Sequence, residues 1–151
     1  MHRFPTGVTV VTTIYDDTPK GFTANAFASV SAEPPVILVC VNRQARSHPV
    51  ISQAGKFCVN VLRLEQQPIA EGFALRPREG DPFATLAYTT VKTGSPVLDG
   101  ALAFFDCELL EGHTAGTHTI FIGSVLACGG TSGAPLGYFD SAYRDFGCRI
   151  T

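Results

Sequence analysis

Apolar residues along this chain fall in short runs rich in β-branched side chains, each closed by turn residues. Val8-Thr9-Val10-Val11-Thr12-Thr13-Ile14-Tyr15 reads as a strand. Asp16-Asp17-Thr18-Pro19 turns it, so that Lys20 to Thr23 returns as the second arm of a hairpin. Pro34-Pro35 launches Val36-Ile37-Leu38-Val39-Cys40-Val41, a continuous apolar run of strand length that predicts burial on both faces. Phe57-Cys58-Val59-Asn60-Val61-Leu62 predicts a further strand. Helical spacing appears twice. Ser47-His48-Pro49 opens a first helix, with Ser or His as its cap and Gly55 as its stop, and Val50, Ile51 and Ala54 share one face. A second helix covers about Gln66 to Leu75, with Ile69, Ala70 and Phe73 in phase.

Strand patterning returns in the second half. Asp99-Gly100 marks a turn between Pro96-Val97-Leu98 and Ala101-Leu102-Ala103-Phe104-Phe105, a strand that runs on to Leu110. Gly112 to Thr117 reads as the loop before His118-Thr119-Ile120-Phe121-Ile122-Gly123-Ser124-Val125-Leu126, which pairs back against it. Gly129-Gly130-Thr131-Ser132-Gly133 is a flexible loop, and Pro135 to Phe139 a last short strand. Many short strands with two helical excursions predict a mainly β fold, a small barrel. The length of 151 residues fits one domain, residues 1–151.

Composition narrows the class. Hydrophobic residues make up 45% and charged residues 16%, with a mean hydropathy of +0.18, which excludes a disordered chain or a charged coiled coil. A net charge of −2 argues against nucleic acid or an anionic membrane surface as partner. No apolar run reaches the roughly 18 residues of a membrane span, and Met1-His2-Arg3-Phe4-Pro5 lacks a signal-peptide pattern. Cys40, Cys58, Cys107, Cys128 and Cys148 are odd in number and lack a CxxC, so they read as small buried hydrophobes in a reducing compartment, the cytoplasm. GxxxxGK[ST], GxGxxG, GxSxG and HExxH are all absent. His2, His48, His113 and His118 form no i,i+4 pair, so no metal is expected. Any redox or transfer chemistry must then come from a bound cofactor.

Two segments carry chemical information. Gly21-Phe22-Thr23-Ala24-Asn25-Ala26-Phe27-Ala28-Ser29-Val30-Ser31 interleaves small residues with uncharged donors and acceptors. It suits either the polar edge of a planar heterocycle or a Ser/Thr-rich strand turning a barrel corner. Asn42-Arg43-Gln44-Ala45-Arg46-Ser47-His48 brings two guanidiniums to a helix start, either an anion site or a capped helix beside solvated arginines. One strand joins the two segments, so together they can flank a ligand about 20 Å long. Flavin mononucleotide has that shape.

The opening Arg3-Phe4-Pro5-Thr6-Gly7-Val8-Thr9-Val10-Val11-Thr12-Thr13 resembles that of the short-chain flavin reductases. Gly21 to Ser31 with Pro34-Pro35, Phe57 to Leu62, Gln66-Gln67, Phe73-Ala74, Gly94 to Ala103 and Gly116-Thr117-His118 continue the likeness in order over nearly the whole chain. The nearest likeness is to reductase components of two-component flavin monooxygenases, such as that of 4-hydroxyphenylacetate 3-monooxygenase.

The resemblance implies a split β-barrel of the FMN-binding type, a homodimer that binds FMN or FAD and oxidises NADH or NADPH. Reduced flavin would then pass to a separate monooxygenase. By position it implies Thr23, Ala24, Asn25 and Ala26 at the isoalloxazine or ribityl chain, with Ser29 and Ser31 nearby. It puts Asn42, Arg46 and Ser47 at the phosphate, and Phe73-Ala74 closing over the flavin. His118 is the candidate catalytic residue, orienting the nicotinamide nucleotide, or else a strand histidine at a turn; Tyr143 and Arg144 are further candidates for that nucleotide. The helix that commonly precedes the Arg-Phe opening is absent, which implies a trimmed or late-starting chain without part of the dimer surface. Tyr88 stands where relatives often carry Trp, a change in packing. Two rival readings keep the flavin: a split-barrel oxidase akin to pyridoxamine-phosphate oxidase, and a non-catalytic flavin carrier.

Overall fold

The computed structural model describes residues 3–74 and 80–146. Met1, His2, Leu75 and Cys148, each named above, lie outside the described residues. Seven strands form one antiparallel sheet. In chain order they are β2 (Thr9–Tyr15), β3 (Thr18–Ala24), β4 (Phe27–Ala32), β5 (Pro35–Asn42), β6 (Lys56–Val61), β9 (Ala103–Ala115) and β10 (His118–Gly130). Their spatial order is β3-β2-β6-β9-β10-β5-β4, and β3 also approaches β5, so the sheet curls into a barrel. The mainly β barrel expected from the sequence is what the chain forms. Two small sheets flank it. One joins β1 (Thr6–Gly7), β11 (Leu136–Phe139) and β12 (Ala142–Asp145), and the other pairs β7 (Tyr88–Thr90) with β8 (Pro96–Leu98).

The hairpins follow from local chemistry. Asp16 and Asp17 sit at φ 49° and 55°, the left-handed pair that a two-residue turn requires and that Asp tolerates. This turn puts Tyr15 opposite Thr18 and fixes the register down to Thr9 opposite Ala24. Ladder hydrogen bonds then fall at Thr18, Lys20, Phe22 and Ala24, while Pro19, Gly21 and Thr23 present their backbone to the other edge. Pro19, which has no N–H to offer, occupies the position where none is needed. Gly123 lies at a bulge in β10, where a Cβ would meet the Phe57 ring at 2.6 Å and Cys107 Cβ at 2.9 Å. Only glycine lets the strand pass so close.

Two apolar clusters result. Val11, Val39, Val41, Ile51, Phe57 and Phe121 are among those filling the barrel. Helix α1 (Ser47–Ala54) contributes Ile51 there, and its C-terminal Gly55 has the left-handed φ of 66° expected of a stop. The second cluster, including Val10, Leu62, Ala70, Phe73, Phe83 and Leu136, lies under helix α2 (Gln67–Ala74). Beside it, buried Asn60 donates Nδ2 to Val10 O (3.2 Å), Thr12 Oγ1 (3.1 Å) and Pro96 O (3.3 Å), and accepts from Leu98 N–H (2.8 Å). Asn60 thereby stitches β2, β6 and β8 together.

Several sequence expectations need correction. Ser47 and His48 do not cap α1; the N-cap is Arg46 and no side chain bonds the helix start. Strand β5 is not buried on both faces: Ile37, Val39 and Val41 are buried, while Val36, Leu38 and Cys40 are half-buried. The Asp99-Gly100 turn forms as expected, but the strand that follows it begins at Ala103 rather than Ala101, and β8 before it pairs with β7 upstream. Strand β9 continues through Gly112 to Ala115, leaving only Gly116-Thr117 as the turn, and Gly129-Gly130 belongs to β10. Burial of the cysteines is uneven: Cys58 and Cys107 are buried, Cys40 is half-buried and Cys128 is exposed.

Candidate functional site

Strand β5 delivers the chain to Asn42, and the segment from Asn42 to Ser47 then turns into α1. Asn42 Oδ1 accepts from Gln44 N–H (2.9 Å), and Ala45 N–H donates to Asn42 O (2.9 Å). Arg43 N–H donates to Thr117 O (3.0 Å), fastening this loop to the β9–β10 turn. His48 reinforces the tie: its Nε2 shares a hydrogen bond with Thr119 Oγ1 (2.7 Å), and its ring lies 5.3 Å from that of Phe121. The β5–β10 register sets Asn42 directly across from His118. The phosphate and nicotinamide ends named from the sequence are therefore neighbours. His118 is half-buried, with Nδ1 2.9 Å from Thr117 Oγ1.

A cavity of about 730 Å³ opens between this loop, β3 and the C-terminal end of α2. Arg46, Ser47, Phe73 and Ala74 line it, as do Lys20 and Gln44. Among the described residues its lining holds two cations, Lys20 and Arg46, and no carboxylate, although the chain carries a net charge of −2. At the start of α1, His48 N–H donates to Ala45 O (3.1 Å) and Pro49 has no N–H, so Ser47 N–H is the backbone donor that faces an anion beside the Arg46 guanidinium. The Phe73 ring packs against Gly21, where a Cβ would come within 2.8 Å of it, and stands edge-on to Phe83 at 5.1 Å. Gly21 thus makes room for both the ring and the cavity. Cationic and amide donors together with apolar Val11, Phe22, Val50, Ile51 and Phe73 suit a ligand that is part anion and part planar heterocycle.

Other predicted residues lie apart from the cavity lining. Thr23 donates Oγ1 to Ala70 O (2.6 Å) and so anchors α2 to β3. Ala24 ends β3, Asn25 and Ala26 form the exposed link to β4, and Ala26 O accepts from Cys40 N–H (2.9 Å). Ser29 and Ser31 lie on β4 opposite Ile37 and Val36. Tyr143 and Arg144 are on β12 in the small sheet. Tyr143 packs against Tyr138 at 5.6 Å; burial, with help from Glu71 and Tyr138, pushes its phenol above the ordinary range. Arg144 is exposed and donates to Tyr143 O (3.2 Å). Sequence reasoning passed over Lys20, which as one lysine after a hairpin turn carries no local signal; only the return of α2 onto β3 gives it a cavity to line.

This barrel, with the loop from Asn42 to Ser47 entering a short helix at its mouth, matches the fold of solved flavin reductases. The chain belongs to the flavin reductase like domain family, whose pattern matches residues 1–147. It is 40% identical over 123 residues to the reductase subunit HsaB of a flavin-dependent monooxygenase from Mycobacterium tuberculosis, covering 82% of this chain and 65% of that relative. It is 40% identical over 127 residues to the FMN reductase (NADH) RutF of Stutzerimonas stutzeri, covering 84% of this chain and 73% of RutF. Among solved structures it resembles BorF, the flavin reductase component of a bacterial two-component tryptophan halogenase. The TM-score is 0.89 with 40% identity, covering 98% of this chain and 94% of BorF. Among the described residues, no helix is long and apolar enough to cross a membrane.

Proposed function

We infer that residues 1–151 act as one flavin reductase unit, transferring hydride from NADH or NADPH to FMN or FAD and releasing reduced flavin to a separate monooxygenase in the cytoplasm. The observation that carries this reading is the pairing of Asn42 with His118, which brings the loop assigned here to the phosphate beside the histidine assigned here to the nicotinamide nucleotide. The relatives named as reductase subunits and FMN reductases support it.

Flavin, when bound, supplies the two-electron acceptor; the chain's own residues supply position and charge. Arg46, Ser47 and the start of α1 hold the phosphate. The open edge of β3 and the Asn25-Ala26 link offer backbone and amide groups to the polar side of the ring, and Phe73-Ala74 shields it from water. His118 orients the nicotinamide nucleotide and moves no obligatory proton. Tyr143 and Arg144 lie on a separate small sheet and contribute at most to the outer part of that nucleotide.

A homodimer completes the site in this reading. Val30, Leu110 and Leu126 are exposed on the adjoining strands β4, β9 and β10, and β5 keeps a half-buried apolar row beside them. A second copy covers that surface.

Steady-state NAD(P)H oxidation with added free flavin tests the activity, and His118→Ala tests the role. The variant should raise the KM for the nicotinamide nucleotide by about tenfold while flavin affinity stays unchanged. An unchanged KM and turnover would remove His118 from the mechanism.

A further inference from the structure

His118 sits where the sheet has least hold on it. Its pairings with Asn42 of β5 and Ala115 of β9 are the first rungs of both ladders, and beyond them lies only the Gly116-Thr117 turn. Strand ends of this kind open readily unless side chains tie them down. The imidazole itself has one tie, Thr117 Oγ1 at 2.9 Å from Nδ1, and Thr117 is exposed. The next residue supplies a firmer one. Thr119 is only 7% exposed, and its side chain leaves the strand on the opposite face from that of His118. There Thr119 Oγ1 meets His48 Nε2 at 2.7 Å, joining residues 71 positions apart.

His48 is held in its turn. Its ring lies 5.3 Å from that of Phe121, and its backbone N–H donates to Ala45 O (3.1 Å). Opposite Phe121, β9 carries Gly112, where a Cβ would come within 3.2 Å of the Phe121 ring and 3.3 Å of Thr119 Cγ2. The glycine lets Phe121 and Thr119 close onto the β9 backbone, and His48 contacts both. Ser47, the residue before His48, lines the cavity. His118, the residue before Thr119, is assigned above to the nicotinamide nucleotide. The hydrogen bond therefore links the immediate neighbours of both halves of the site.

We propose that His48 is a positioning residue for the hydride transfer, holding His118 in place relative to the phosphate loop through its hydrogen bond to Thr119. The proposal rests on the role given to His118 above. His48 lies outside the cavity lining, so it acts through Thr119 rather than on the flavin. Without this bond the first rung of β10 loosens, and His118 spreads over positions that meet the nucleotide less well. Arg46 and Ser47 keep their hold on the flavin phosphate.

Steady-state kinetics with NADH or NADPH varied at saturating flavin, together with flavin Kd from fluorescence titration, tests this. His48→Ala and Thr119→Val should each raise the KM for the nucleotide about fivefold and leave the flavin Kd within about twofold. The double variant should be no worse than either single one, because both remove the same bond. Thr119→Val keeps the volume of the side chain, so it carries the test even if His48→Ala folds poorly. His48→Gln offers a donor and an acceptor at about the reach of Nε2, and should bring the KM back to within about twofold of the parent. In a His118→Ala background, His48→Ala should add nothing, a result that general loosening of the fold does not produce. An unchanged KM in Thr119→Val, additive losses in the double variant, an equal rise in flavin Kd, or a further fivefold loss in the His118→Ala background overturns the proposal and leaves the reductase reading standing. An unchanged KM in His118→Ala alone removes the role of His118 and the proposal with it. A parent protein that oxidises neither nucleotide overturns the reductase reading itself.

Discussion

Replacing Gly21 with alanine isolates the contact on which the cavity wall depends. Its backbone has ordinary extended geometry, so alanine meets no conformational barrier and should by itself stabilise the fold by about 0.4–1 kcal/mol through the unfolded chain. Opposing this, the new Cβ lies 2.8 Å from Phe73 Cε1, 3.2 Å from Cδ1 and 3.3 Å from Val11 O. Ordinary contact begins near 3.4 Å, so the ring must retreat by about 0.6 Å. Phe73 is only 8% exposed and is wedged against Phe83 at 5.1 Å, so that retreat disturbs a packed cluster. Overpacking of this kind costs about 1–3 kcal/mol, and the net expectation for Gly21→Ala is a loss of about 1–2 kcal/mol. Urea denaturation should show it as a lower midpoint at constant slope. In a Phe73→Leu background the clash is relieved, and the same alanine should become neutral or stabilising. An equal cost in both backgrounds would refute the argument, because strain would then lie in the backbone against Val11 rather than in the ring.

Other consequences follow from the same geometry. Asn60→Ala should cost about 3 kcal/mol in urea denaturation, since it strands the buried Leu98 N–H and the acceptors on Val10 and Pro96. Burial, followed by the charge of Asp106, pushes the Cys58 thiol strongly up and that of Cys107 up to about 12 from an unperturbed 9.0. The folded chain therefore keeps protons that the unfolded chain loses. Stability should be intact below about pH 9 and fall as pH climbs from there toward 12, with a flatter alkaline limb in the Cys58→Ala, Cys107→Ala double variant. At pH 8 a thiol reagent should modify exposed Cys128 well before either buried cysteine. Arg46→Ala should weaken FMN binding about tenfold in a fluorescence titration and leave riboflavin, which lacks the phosphate, unchanged.

The parts of this molecule legible in sequence are those whose signal is local. The β-branched run before Asp16-Asp17, the apolar run after Pro34-Pro35 and the stop at Gly55 each produced the expected element within a residue or two. Elements defined by distant partners were harder to read. Tyr88–Thr90 is exposed throughout and exists as a strand only because β8 pairs with it. Gly112 to Ala115 looks like loop because its residues face solvent, yet the register with β10 carries it on as strand. The Asp99-Gly100 signal was right about a turn and silent about which strand the preceding one would join. At the site, Arg46-Ser47 and Phe73-Ala74 were readable and do share a cavity, because the family pattern marks them. Lys20 was not, since its meaning depends on α2 folding back over β3, a contact between segments about fifty residues apart.

Anaerobic rapid mixing of the protein and oxidised flavin with NADH or NADPH is the most direct test of the function assigned to this site. The account predicts fast loss of the oxidised-flavin absorbance with at least one of the two nucleotides, and, in air, continued NAD(P)H consumption in the presence of excess free flavin. Flavin that binds at Arg46 and Ser47 but stays oxidised with either nucleotide would contradict it and would make the chain a flavin carrier or an oxidase that retains its cofactor.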